Sequence, residues 1–135
     1  MTLLRNFQLA ILVVALTVTL SCGNSLRELV AMNLSPSVAD AQNYPNGQVQ
    51  FTASGTYNLY PLTGPVQPAL WSIYKPQNTQ NIPTITQNGL AQCGSAVGTF
   101  SVQAYAVSNP SASQTPQNLL TSKQAVLGLA SLTCP

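Results

Sequence analysis

The sequence predicts an all-β domain, a Greek-key sandwich of about seven short strands that occupies residues 29–135. Apolar and polar residues alternate with a period of two in several short runs, which is typical of strands with one buried and one wet face. Glycine and proline are spread between these runs, where an all-β domain places its turns. No amphipathic stretch of helical period exceeds about two turns. Seven strands in roughly 110 residues fit a two-sheet sandwich.

The first part of this domain contains two predicted strands separated by a turn. Residues 29–34 form the first strand, which ends at Ser35-Pro36, and residues 43–47 contain Asn-Gly, a strong turn signal. Residues 49–57 form the second strand. The positions that share its predicted buried face are Val49, Phe51, Ala53, Gly55 and Tyr57. Glycine inside a strand indicates a bulge or a close backbone approach, so we expect one of these at Gly55.

The middle of the domain mixes loops with short strands. Residues 61–68 carry three prolines and are predicted to be a loop, and the polar residues 75–83 form another. Residues 69–74 are predicted to be a central strand, because they are almost continuously apolar. Shorter elements follow: a strand at 84–86, a turn at 87–89 and a strand at 90–93.

The last part of the domain contains the clearest strand, at residues 99–107. Its predicted core face carries Phe100, Val102, Ala104 and Ala106, and its other face carries Ser101, Gln103 and Tyr105. Residues 108–118 are rich in Ser, Pro and Gln and are predicted to be a loop. Residues 124–133 form the last predicted strand.

Charged residues are unusually scarce. They make up 4% of the chain, against about 25% in typical soluble domains. Nucleic-acid binding needs clustered Lys and Arg, and the few basic residues here are scattered, so we expect no nucleic-acid partner. A polybasic membrane-binding segment is absent from the sequence for the same reason.

Residues 1–21 are predicted to be a helical signal peptide. Arg5 gives a positive start, and residues 9–20 are an apolar stretch of 12 residues, which is shorter than the roughly 20 that a spanning helix needs. Ser21-Cys22-Gly23 resembles the lipobox of bacterial lipoproteins, in which cleavage precedes a cysteine that is then acylated. Thr19 stands where that motif usually has Leu. The alternatives are an ordinary secretory signal with a coincidental cysteine and an uncleaved helical anchor.

The lipobox resemblance implies a lipid anchor at Cys22 and a tether over residues 22–28. It implies an exported protein held on the membrane of a bacterial envelope, the outer membrane where the host has one. Assigning Cys22 to the lipid leaves Cys93 and Cys134, which are expected to form a disulfide in an oxidising compartment. The alternative is two free buried thiols. Zinc is poorly supported, because two thiols without histidine cannot complete a tetrahedral site.

Five short motifs in residues 29–107 resemble the bacterial immunoglobulin-like domains of group 2, found in intimin-like surface proteins. In chain order they are Leu34-Ser35-Pro36, the QFTASGTY segment at 50–57, Trp71-Ser72, Asn88-Gly89-Leu90 and Gly98-Thr99-Phe100. The resemblance implies an immunoglobulin-like sandwich that serves as a spacer or adhesive unit. The long loops at 61–68 and 75–83 and the pair Cys93 and Cys134 depart from the pattern.

The residue types argue against catalysis. The chain has no histidine and only two acids, Glu28 and Asp40, so no acid–base pair, activated serine or strong calcium site is expected. We therefore expect no enzyme and no cofactor. Trp71 and Phe100 are expected to be core residues.

Two functions are consistent with the sequence. The first is a structural or adhesive interaction module displayed on the envelope. The second is a carbohydrate-binding module that uses Asn/Gln-rich loops and exposed tyrosines, for which the candidates are Tyr57, Tyr60 and Tyr74. Exposure of these three tyrosines on one face favours the second function, and their burial favours the first, because strand tyrosines more often pack across a sheet.

Overall fold

The computed structural model describes residues 26–74, 81–121 and 124–135, and it confirms an all-β sandwich. In that part of the chain there are ten strands, two short 3-10 helices (Ala41–Asn43 and Pro45–Gly47) and one helix, α1 (Pro116–Thr121). The strands are β1 (Leu29–Ser35), β2 (Val38–Asp40), β3 (Gln48–Gln50), β4 (Thr52–Tyr57), β5 (Thr63–Val66), β6 (Leu70–Tyr74), β7 (Thr84–Ile85), β8 (Leu90–Gln92), β9 (Gly98–Val107) and β10 (Ala125–Cys134).

The strands form two layers. One layer consists of two three-stranded antiparallel sheets, β1-β4-β5 and β3-β8-β7, which lie side by side because only Phe51 separates β3 from β4 along the chain. The other layer is a four-stranded sheet in the order β2-β10-β9-β6. Its pairings are antiparallel except that β2 runs parallel to β10.

The core lies between the layers and follows the alternation in the sequence. In residues 49–57 the odd-numbered positions are buried, while Gln50, Thr52 and Ser54 are exposed. On β9, the four predicted core positions 100, 102, 104 and 106 are buried as well. Trp71 is 6% exposed and shares one cluster with Phe51, Phe100 and Val102. These predictions of the buried faces are therefore confirmed.

Two glycines occupy positions where a side chain does not fit. A Cβ at Gly55 would meet the side chains of Leu29 and Val66, so the predicted close approach is confirmed. Gly89 has φ of 80°, and a Cβ there would lie 2.5 Å from the carbonyl oxygen of Phe51 and 3.0 Å from the indole ring of Trp71. The turn at residues 87–89 therefore packs directly on the core.

The predicted disulfide between Cys93 and Cys134 is confirmed. Cys93 directly follows β8 in one layer, and Cys134 ends β10 in the other, with Cα atoms 5.6 Å apart. Both half-cystines are buried. The bond therefore fastens the two layers together at one end of the sandwich.

Several details of the strand prediction were wrong. The residues 69–74 were expected to form a central strand, yet β6 is an edge strand that pairs only with β9 among the described strands. The loop predicted at residues 61–68 contains β5, which pairs with β4. Strand β2 was not predicted, the run at residues 49–57 is divided at Phe51, and α1 begins inside the loop predicted at 108–118.

Two expectations concern the start of the chain. The predicted signal peptide (residues 1–21) and the predicted lipidation residue Cys22 lie outside the described residues. Residues 26–28, the last part of the predicted tether, lie against the sandwich: the N–H of Glu28 donates to Asn58 Oδ1 (2.7 Å), and Asn58 Nδ2 donates to the carbonyl oxygen of Leu26 (3.2 Å). This part of the tether is therefore attached to the domain.

Candidate functional site

The three candidate tyrosines do not form a single exposed platform. Tyr57 is 7% exposed and belongs to the core, because it lies on the inward face of β4. Its ring also stacks under Arg27, whose guanidinium carbon is 3.6 Å from the ring centroid. Tyr60 and Tyr74 are 89% and 59% exposed. A ligand platform made of all three is therefore excluded by the burial of Tyr57.

Tyr60 and Tyr74 are also far apart. Tyr60 lies between β4 and β5, near the end of the domain where the N–H of Leu29 donates to Ser108. Tyr74 is paired with Ser101 on β9. Ser101 lies seven residues before Ser108, which marks the end of the domain where Tyr60 is found. At about 3.3 Å per residue this is a separation of roughly 20 Å. The two tyrosines also belong to different layers, so they cannot stack on one small sugar.

The structure indicates a different candidate site, which we call the neutral face. It is the outward surface of strands β6, β9 and β10, none of which contains a charged residue. Leu127 and Leu129 are its largest exposed aliphatic side chains on β10, at 44% and 56% exposure. The outward residues of the neutral face are Leu70, Ser72, Tyr74, Thr99, Ser101, Gln103, Tyr105, Ala125, Leu127, Leu129, Ser131 and Thr133.

The strand register gives the neutral face an ordered arrangement. Leu70, Tyr105 and Leu127 form one row across three strands, and Ser72, Gln103 and Leu129 form the next. The hydroxyl of Tyr105 donates to Gln103 Oε1 (2.8 Å), so these two polar side chains are held together. The result is a surface of leucine and tyrosine with neutral hydrogen-bonding groups between them.

A second candidate is a hollow at the disulfide end of the sandwich. It has a volume of about 340 Å³, and its lining includes Gln42, Tyr44, Asn46, Gln92, Cys93 and Pro135. The amide side chains of the three exposed residues Gln42, Asn46 and Gln92 offer both donors and acceptors. Tyr44 is half-buried and packs against the core, so its ring is a fixed wall of the hollow. We call this the polar hollow.

Among the described residues, no three His, Cys, Asp or Glu side chains lie close enough together to hold a metal ion. The described helices include none that is long and apolar enough to cross a membrane. The chemistry that both sites offer is hydrogen bonding and apolar contact.

From the sequence, Ser101, Gln103 and Tyr105 were predicted to lie on the outer face of one strand, but no outward residues were assigned to the strands that became β6 and β10. On β10, Leu127 and Leu129 alternate with Gly128 and Ala130. Because one side of this strand carries leucines and the other carries small residues, the sequence does not show which side is buried. Gly128 and Ala130 are the buried ones, and Gly128 lies against Leu34 and Met32 of β1. The pairing of β6 with β9 could not be found from local sequence, because it joins residues about 30 positions apart.

Comparison with known proteins does not identify the chain. No protein-family model matches it, and no curated protein was found that matches it. The all-β sandwich, its disulfide and its two candidate sites therefore carry the functional argument.

Proposed function

We propose that this protein is an exported bacterial lipoprotein whose immunoglobulin-like domain is a structural or adhesive interaction module of the cell envelope. The observation that carries the interaction role is the neutral face. It combines leucine and tyrosine side chains on the outer side of one sheet, and apolar and aromatic side chains are also what the central parts of protein–protein interfaces contain. The proposal includes no catalytic activity, because the sequence lacks histidine and has only two acids.

Export is supported by two independent features. The apolar stretch at residues 9–20 and the lipobox-like Ser21-Cys22 indicate a signal peptide and an acylated cysteine. The disulfide between Cys93 and Cys134 is of the kind that persists in oxidising compartments and is rare in the cytosol. Fixing that pair leaves Cys22 as the remaining cysteine of the three, which suits acylation.

The immunoglobulin-like assignment is supported by the strand arrangement. In immunoglobulin-like domains two antiparallel sheets pack face to face, and one of them contains the third, sixth and seventh strands. Here one sheet likewise joins a mid-domain strand, β6, to the last two strands, β9 and β10, with the short strand β2 added at its edge. The mid-domain tryptophan, Trp71, lies on the inner side of β6. The five motifs shared with the group 2 domains support the same class.

The interaction role is tested by charging the neutral face. The full chain, exported and purified from a bacterial host, is presented on vesicles and its binding to the envelope fraction of the producing bacterium is measured. The variant Leu127→Asp/Leu129→Asp is expected to lose binding about tenfold or more, because two desolvated carboxylates without partners oppose docking. The matched control, Thr52→Asp/Ser54→Asp, adds the same charges to the outward face of β4 and should bind like the parent. Equal binding by the parent and both variants contradicts the proposal.

Carbohydrate binding is the second candidate function, and the polar hollow is the observation that favours it. Neutral amides beside a fixed tyrosine ring are suited to hydroxyl groups and to stacking with a sugar. Binding of the full chain to a glycan array that is lost in Tyr44→Ala and retained in Leu127→Asp/Leu129→Asp would support this function over the first. An array without bound glycans would contradict it.

A further inference from the structure

We infer that one end of the sandwich is a lipid-contacting base, which rests on the membrane surface through Leu26, Tyr60 and Leu62. This inference rests on the proposed membrane anchoring and adds to it the orientation of the domain. All three side chains are exposed, Tyr60 the most of any large apolar residue described. They belong to the segment that enters the domain and to the connection between β4 and β5.

Hydrogen bonds hold these two segments together. Asn58 bonds to both Leu26 and Glu28, and its own N–H donates to the carbonyl oxygen of Glu28 (3.1 Å). Arg27 Nη2 donates to the carbonyl oxygen of Pro61 (2.8 Å), while its guanidinium lies over the ring of Tyr57. The N–H of Tyr57 donates to Leu62, which closes the turn. The three apolar side chains of the base are thus carried on one braced unit.

The covalent chain brings this unit to the membrane. Four peptide units separate Cys22 from Leu26, and at no more than about 3.6 Å per residue they span at most roughly 14 Å. An acylated Cys22 would therefore keep Leu26 within that distance of the bilayer surface. If the signal segment stays uncleaved, the apolar stretch that ends at Leu20 is joined to the domain through Leu26, at this same end. In both cases the base is the part of the domain nearest the lipid.

The chemistry of the base suits a lipid surface. Tyrosine is enriched at membrane–water interfaces, where its ring and hydroxyl meet different environments, and leucine gains from contact with acyl chains. The polar hollow lies at the other end of the sandwich, beside Cys134 and hence about the length of the ten-residue strand β9, or roughly 30 Å, from the base. The orientation leaves both the polar hollow and the neutral face free.

The test places a fluorescent side chain at the base. The full chain carrying Tyr60→Trp is reconstituted into phosphatidylethanolamine and phosphatidylglycerol vesicles that contain phosphatidylcholine spin-labelled near the headgroup. The matched control is Tyr74→Trp, another exposed tyrosine at a distance from the base, and the buried Trp71 gives the same background in both. Quenching should be at least about twofold stronger at position 60, because an interfacial ring contacts the labelled headgroups.

Mass spectrometry of the same samples separates this inference from the proposed anchoring. Stronger quenching at position 60 together with an acylated Cys22 supports both the lipid-contacting base and the lipid anchor. Stronger quenching at position 60 without acylation supports the base and refutes the lipid anchor. Equal quenching at positions 60 and 74, or quenching at neither, overturns the lipid-contacting base whether or not Cys22 is acylated.

Discussion

At the scale of single residues, Trp71 is a side chain that packs between the two layers. It lies on the inward side of β6 in the four-stranded sheet, and its indole ring contacts the turn at Gly89 in the other layer. The same strand carries Tyr74, which points outward and is well exposed. Two aromatic residues three positions apart thus have opposite roles, one in the core and one on the neutral face.

This difference predicts the effect of two matched truncations. Trp71→Ala should lower the free energy of unfolding by about 3–5 kcal/mol, as truncations of buried tryptophan do. Tyr74→Ala should change it by less than about 0.5 kcal/mol, because Tyr74 is 59% exposed and lies on the outer side of its sheet. Urea unfolding curves of the two variants and the parent measure both values. A Trp71→Ala midpoint close to that of Tyr74→Ala would contradict the assignment of Trp71 to the core.

The burial of Tyr57 was predicted by the alternation in residues 49–57, although this tyrosine was also a candidate ligand contact. It has the same alternation parity as Val49 and Phe51, and that pattern is stronger evidence than residue type. Tyr60 and Tyr74 belong to a turn and to the outward side of a strand, so their exposure follows from position. Whether each candidate tyrosine is buried or exposed therefore follows from its position in the local sequence pattern, and residue type alone does not predict it.

At the scale of elements, alternation predicted the strands that have one buried face. Residues 29–34, 99–107 and 124–133 closely match β1, β9 and β10 because each strand contributes a full row to the core. Strand β2 was missed because three residues carry too short a pattern, and β5 was missed because Pro65 and Gly64 indicate a loop. Proline is tolerated in β5 because that strand is at an edge of its sheet. Position within a sheet depends on distant partners, which explains the error for β6.

The disulfide makes a prediction at this scale, because it ties β10 to the chain that follows β8. Its sequence separation is 41 residues, and in the chain-entropy model closing such a loop stabilises the fold by about 4 kcal/mol. Cys93→Ala/Cys134→Ala should therefore lose roughly that amount in urea unfolding, and the unmodified domain in reductant should lose a similar amount. A double variant within about 1 kcal/mol of the parent would show that packing between the layers suffices without the bond.

At the scale of the whole molecule, the described sandwich has two different ends and, on strands β6, β9 and β10, the neutral face. The base carries the entering chain and is braced by Asn58 and Arg27, while the disulfide and the polar hollow lie at the opposite end. The neutral face runs between them along β9 and β10. This arrangement suits a domain that is held at one end and binds through its side or its far end, which is the geometry that the proposed function requires.

The scarcity of charge predicts how the whole domain responds to pH and salt. The chain has four basic and two acidic residues and no histidine, which is the side chain that most often changes charge between about pH 5 and pH 8 in proteins. Stability changes with pH only where the folded and unfolded states bind different numbers of protons, and here that difference should be close to zero. Screening by salt also has few charge pairs to act on.

The free energy of unfolding should therefore vary by less than about 0.5 kcal/mol across this pH range, and by a similarly small amount between low and high sodium chloride. Urea unfolding at the two pH limits, each at both salt concentrations, measures the dependence. The disulfide-free variant provides a control, because it has the same Asp, Glu, Lys and Arg content and should be equally insensitive at its lower stability. A slope shared by both proteins would contradict the expectation that charge contributes little to this fold.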